Sequence, residues 1–244
     1  MLIPINNQEN WLNRSALWLK KKWTVALIVI IILLIVLIAL IFLSGDQSKN
    51  NQPTLINITN NLPASDPKRQ MAEKRDRPHF GNENAKLVIV EFSDFQCPVC
   101  QAQFPTIREI VNKYKDDIFF IYRQYPIIND NSPVVSMASL CAYEQDKFWP
   151  MHDRLFLNPS DNFSGDDLKN IARQSGLDLE KFNSCLTSEK YKNMVTEDTR
   201  DGFDLGVPGT PTFFINGDRL SGNISKENWD IIISQSLKLL NNQK

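Results

Sequence analysis

The chain has 244 residues, 42% hydrophobic and 23% charged, with a formal net charge of −1. That composition excludes a disordered polymer, a collagen and a cysteine-dense mini-protein, and the length fits one domain with appendages. Residues 1–78 carry a net +5 and residues 79–244 a net −6, so no basic domain is offered to a phosphate backbone and nucleic-acid binding is set aside.

Residues 24–43 read TVALIVIIILLIVLIALIFL, with no charge, Gly or Pro. A helix needs about 20 apolar residues to cross the hydrocarbon core, and this run supplies them. Arg14 and Lys20, Lys21 and Lys22 precede it; Gly45 and Asp46 come after it. The positive-inside rule predicts a cytoplasmic segment 1–23, a single transmembrane anchor 24–43, and an extracytoplasmic remainder. Trp18 and Trp23 suit the inner interface belt. A cleaved signal peptide is the alternative. Its apolar core is usually about 7–15 residues and ends at an A-x-A-like site, and this run is longer with no such site. Residues 44–78 are polar and rich in Asn, Pro and charge, and read as an extracytoplasmic linker with a short helix near residues 68–74.

A domain is expected over 79–244. Residues 86–92 (KLVIVEF) form a β-branched run suited to a buried strand. A helical pattern runs from Pro98 to about Tyr114, with Phe104, Ile107, Val111 and Tyr114 on one face and Pro105 as a kink. Residues 118–124 (IFFIYRQ) read as a second strand. Strand, helix and strand make a βαβ unit with parallel strands. The middle, about 132–204, is helical: Ser132-Pro133 opens a helix through residue 148, and Ser164 caps another that Gly176 closes. Phe182, Cys185 and Leu186, then Tyr191, Met194 and Val195, repeat helical spacing. Residues 211–216 (PTFFIN) return to strand, Asn216-Gly217 turns a hairpin, and a last helix comes after Ser225. The order βαβ, helical block, ββα defines an α/β domain with an all-α insertion.

Cys97-Pro98-Val99-Cys100 lies where the first strand hands over to the helix. A CxxC inside a βαβ unit is a redox signature. Cys97 would sit at a helix N-terminus, where unpaired N–H groups and the helix dipole favour a thiolate, the species that attacks a disulfide. Cys100, one turn on, would resolve the mixed disulfide. A structural zinc site wants four ligands, commonly two such pairs; Cys141 and Cys185 stand alone, and His79 and His152 are spaced with nothing. No metal or organic cofactor is expected.

VIVEFSDFQCPVCQ, with GVPGTPTFFING far downstream, resembles the thioredoxin fold and above all its DsbA-like branch of thiol–disulfide oxidoreductases with a helical insertion. The resemblance covers residues 79–242. It implies that Cys97 is the nucleophile and Cys100 the resolving cysteine. It further implies that Glu91 is a buried acid exchanging protons with Cys100, that Pro105 kinks the active-site helix, and that Pro211, after Thr210, is a cis-proline whose loop receives substrate backbone. An acid inside VIVEF is odd for an ordinary strand, because burying a lone charge is expensive. Two departures weaken the case for a strong oxidant: Val99 stands where the best-known members have a His donor, and Thr210 occurs before the cis-proline in both oxidising and reducing members.

Phe95 is expected on the surface that meets substrate, and Asp94 and Gln96 are unranked candidates for tuning Cys97. Outside the cytoplasm disulfides persist, so a structural Cys141–Cys185 bridge is favoured over two free thiols or a second shuttling pair. The expected activity is a membrane-anchored oxidoreductase introducing disulfides into exported proteins with cysteines; the resemblance implies that such an oxidase is drained by a quinone-linked membrane partner. The rivals are a reductase or isomerase, or a binding module without turnover.

Overall fold

The computed structural model describes residues 31–36 and 62–242. Residues 31–36 are helical. The rest of the expected span 24–43, the expected cytoplasmic segment 1–23 and residues 44–61 of the expected linker lie outside the described residues. Among the described residues, no helix is long and apolar enough to cross a membrane.

The domain begins earlier than residue 79. Asp66 caps a short helix, α1 (Pro67–Ala72), by accepting from the Lys68 and Arg69 N–H groups. Charge pins the chain beyond this helix. Arg77 and Arg123 each donate from Nε to Asp198 Oδ1 at 2.8 Å, and all three side chains are buried. Arg123 also donates to the Met71 and Ala72 carbonyls, at the end of α1. The expected linker is therefore shortened: Lys74 and Arg77, within residues 62–78, supply cations to the network around Asp198 and Asp201.

A five-stranded sheet has the order β1-β3-β2-β4-β5. β2 (Leu87–Ser93) and β3 (Ile118–Gln124) are parallel, joined by α2 (Pro98–Lys113), and every residue of both is buried. Strands covered on both faces read as continuous apolar runs, which is how they look in the sequence. β1 (His79–Gly81) pairs antiparallel with β3 and is absent from the sequence expectation; three residues carry no periodicity to read. β4 (Thr212–Ile215) runs antiparallel to β2, and β5 (Asp218–Ser221) closes the hairpin. Its two-residue turn is Asn216-Gly217, both at positive φ, which suits a tight hairpin.

Five helices form the insertion: α3 (Ser132–Tyr143), α4 (Phe148–Leu157), α5 (Gly165–Gln174), α6 (Leu179–Thr187) and α7 (Lys192–Asp204). The helix expected to run through residue 148 stops at Tyr143, and Asp146 turns the chain at φ 57°. Ser132 is inside the helix instead of capping it, and its hydroxyl donates to Gln96 Oε1. Ser164 and Asp167 close a reciprocal capping box on α5. α8 (Lys226–Asn242) ends the described chain and sets Trp229 edge-on against Phe213.

The sheet separates two apolar clusters. Val88, Val90 and Phe92 of β2 pack with Phe119 and Ile121 of β3, Ala72 and Phe214. Side chains alternate along a strand, so Glu91 and Ser93 point to the opposite face. On that side Tyr122, Cys97, Cys100 and Phe95 join the core of the insertion.

Candidate active site

Cys97 is the N-cap of α2, in extended conformation, and Pro98 comes next at the first helical position, where its missing N–H costs nothing. Asp94 holds the loop that presents it. One carboxylate oxygen accepts from the Gln96 N–H; the other accepts from the N–H groups of Ile127 and Ile128, all at 2.9 Å. Gln96 donates to the Ser160 carbonyl and accepts from Ser132. These two residues, unranked in the sequence, brace the active-site loop against the insertion.

Thr210–Pro211 is a cis peptide bond beside Cys97. The Cys97 thiol donates to the Thr210 carbonyl at 3.1 Å. Its pKa is lowered to about 6. Chief among the causes is the Cys100 thiol, which donates to the sulfur; the Thr210 side chain and the Cys100 and Val99 N–H groups add to it against the cost of burial. A histidine at position 99 is thus not required for an acidic thiol. Cys100, 1% exposed, is pushed far up, by burial first and then by Cys97 and Glu91. Both are free thiols.

Glu91 is 3% exposed and lies one strand from Tyr122 in the β2–β3 register. Burial raises its pKa to about 7, Ser93 pulls it down, and the negative charge on Cys97 pushes it up. An acid titrating near neutrality beside a neutral buried thiol is a usable proton relay.

Phe95 is largely covered by the insertion. It is 2% exposed, stacked on Tyr122 at 5.5 Å and packed against Phe156 and His152. It forms the floor of a groove of about 250 Å³ beside Cys97, whose walls are Gln96, Pro98, Gln101 and residues 159–161. An aromatic next to a CxxC fits core or surface equally in sequence; here the insertion covers it. Cys141 of α3 and Cys185 of α6 form a disulfide with an S–S length of 2.00 Å. Among the described residues no three His, Cys, Asp or Glu side chains converge as a metal site. No sequence signal marks Ser93 or Tyr122, whose hydroxyls face Glu91 only once β2 and β3 are in register.

A parallel βαβ unit, an antiparallel hairpin, an inserted helical block and a CxxC opposite a cis-proline define the thioredoxin class. The family described as Thioredoxin matches residues 73–235, and the chain belongs to it. Its fold is that of DsbA-like thiol–disulfide oxidoreductases. The thiol–disulfide exchange protein α-DsbA2 from Wolbachia pipientis superposes with a TM-score of 0.63 at 24% identity, covering 70% of this chain and 91% of that one. Oxidised BdbD from Bacillus subtilis gives 0.61 at 23% identity, covering 66% and 93%. A curated relative, the Na(+)/H(+) antiporter NhaA 1 of Salinispora arenicola, is 35% identical over 156 residues, 62% of this chain and 24% of that protein. The chain spans about a quarter of the length of the curated relatives it matches.

Proposed function

We propose that the protein is a thiol–disulfide oxidoreductase that introduces disulfides into exported proteins, held outside the cytoplasm by an anchor at 24–43. The observation that carries this reading is the asymmetry of the two thiols: Cys97 acidic, Cys100 held neutral by burial. A stabilised Cys97 thiolate favours the reduced form, and a pair whose reduced form is favoured oxidises its partners. Substrate thiolate attacks Cys97, and Cys100 leaves and is protonated by Glu91. The chain at Thr210 and Pro211 receives extended substrate backbone. Reoxidation would fall to a quinone-linked membrane protein. The tether rests on the apolar run and its flanking lysines. Matching segments that form part of much longer antiporter chains support a site of action beside a membrane.

The test is turnover on a reduced, unfolded disulfide protein, with the reduction potential of Cys97–Cys100 measured against glutathione. Oxidation of the substrate is expected, with a potential well above the value of about −270 mV typical of thioredoxin. A potential near that value would move the protein to the reductases, and no turnover in either direction would leave a binding module.

A further inference from the structure

We propose that the hydroxyls of Ser93 and Tyr122 are positioning residues for Glu91, forming with it a buried relay that sets when the acid exchanges its proton with Cys100. This role rests on the exchange reaction proposed for Cys97 and Cys100. Glu91 and Ser93 are two apart on β2 and share a face; Tyr122 sits opposite Glu91 on β3. All three are buried, and Glu91 Oε2, Ser93 Oγ and Tyr122 Oη each lack a hydrogen-bond partner among the described residues. An unpaired buried polar atom is costly, and native folds keep few of them. Two unused donors beside one acid point to a state that uses both, the ionised carboxylate.

The surroundings leave these hydroxyls little competition. At the start of α2, the Cys97 thiolate repels the charge of the acid, and Glu91 in turn helps to keep the Cys100 thiol neutral. Asp94, at the start of the next loop, is occupied by three backbone N–H groups. From β4, Phe213 pairs with Glu91 and carries no charge, and Trp229 of α8 covers it. His152 of α4 touches the Tyr122 ring at 5.1 Å, and its pKa is lowered, chiefly by burial. The one cation of β3, Arg123, turns to the other face, over Phe92. Among the described residues no lysine or arginine acts on Glu91. Ser93, close to both without a formed hydrogen bond, is the group that pulls down the pKa of Glu91 and of Tyr122.

In the exchange step a substrate thiolate forms a bond to Cys97 Sγ. The Cys97–Cys100 bond breaks, and Cys100 leaves with the electron pair and takes the Glu91 proton. Ser93 then donates to the new carboxylate and accepts from Tyr122. Reversal returns the proton to Glu91 before Cys100 leaves its thiol form again: the carboxylate takes the Cys100 proton, the thiolate attacks Cys97, and the substrate thiolate departs.

The test is resolution of a preformed mixed disulfide by Cys100 between pH 5 and 9, measured by stopped flow in the full chain. Resolution needs the carboxylate, so the wild-type rate should rise through an inflection above the ordinary carboxyl value and no higher than about 7, since burial still raises the Glu91 pKa while Cys97, bonded to substrate, no longer adds its charge. A hydrogen bond to a charged group corresponds to about one pH unit, so Ser93→Ala should move the inflection up by that much and slow resolution about tenfold on the acid side of it. Tyr122→Phe should move it the same way by less, and Ser93→Thr, which keeps a hydroxyl, should restore the profile. The alkylation pKa of Cys97 should stay within about 0.3 unit throughout, since the hydroxyls act through Glu91. Tyr122→Phe keeps the ring packed on Phe95 and Phe148 and decides the matter should Ser93→Ala fail to fold. Exchange that proceeds with an unmoved inflection would overturn the relay and leave the proposed activity standing. No exchange in the wild type would overturn both.

Discussion

At the scale of single residues, Glu91 is where stability and chemistry oppose each other. The fold keeps its proton to about pH 7, against an ordinary value of 4.5. A carboxyl whose folded pKa is raised contributes most below its unfolded pKa, and that contribution is lost as pH rises through the folded one. For Glu91 the loss runs between about pH 4.5 and 7 and amounts to about 3 kcal/mol. Glu91→Gln removes it. Urea unfolding of both proteins should show the variant gaining on the wild type across that window, with a constant difference above it; parallel curves would contradict the assignment. Glu91 is legible in the sequence because a lone acid interrupts an apolar strand. Its modulators are not, because Ser93 and Tyr122 are ordinary strand residues until the register places them around it. The packing of Phe95 under the insertion is not legible either, because nothing in the sequence says which loop face the insertion covers.

At the scale of elements, α7 joins the insertion to both the sheet and the segment around α1. Asp198 accepts from Arg77, Arg123 and the Gln124 N–H, and Asp201 accepts from Arg123 at 2.7 Å and pairs with Lys74. Removing one partner of such a cluster leaves charges buried without compensation. Asp198→Asn should cost about 3 kcal/mol or more, whereas Glu144→Gln, which breaks an exposed pair with Lys190, should cost less than about 1 kcal/mol. Denaturant midpoints of the two variants check this, and similar losses would place Asp198 outside the framework. Sequence periodicity finds β2, β3, α2 and the hairpin, each at least four residues long with a clear apolar pattern. It misses β1, which has three residues, and it misses the docking of residues 62–78 onto the domain through Arg69, Ala72, Arg77 and Pro78, which are buried. Charge is the reason: Arg77 and Lys74 look like linker residues when their partners lie more than a hundred positions away.

At the scale of the whole molecule, the four cysteines divide between two tasks. Cys141–Cys185 ties α3 to α6 across a separation of 44 residues, and closing a loop of that size stabilises by about 2–4 kcal/mol. Cys97 and Cys100 remain free thiols at the seam between sheet and insertion. The insertion braces the loop before Cys97 through Gln96, Ser132 and Ser160, and the sheet carries Glu91. That division is an arrangement sequence spacing alone does not specify, because it depends on how the insertion folds back over the strand ends.

Everything proposed for the site depends on Cys97 being an acidic nucleophile and Cys100 a neutral, buried partner. The most direct measurement is alkylation of the reduced protein across pH 4–9, with the modified cysteine identified by peptide mapping. Modification is expected at Cys97 alone, with an inflection near its pKa of about 6. Faster alkylation of Cys100, or a Cys97 inflection near the free-thiol value of about 8.5, would contradict it.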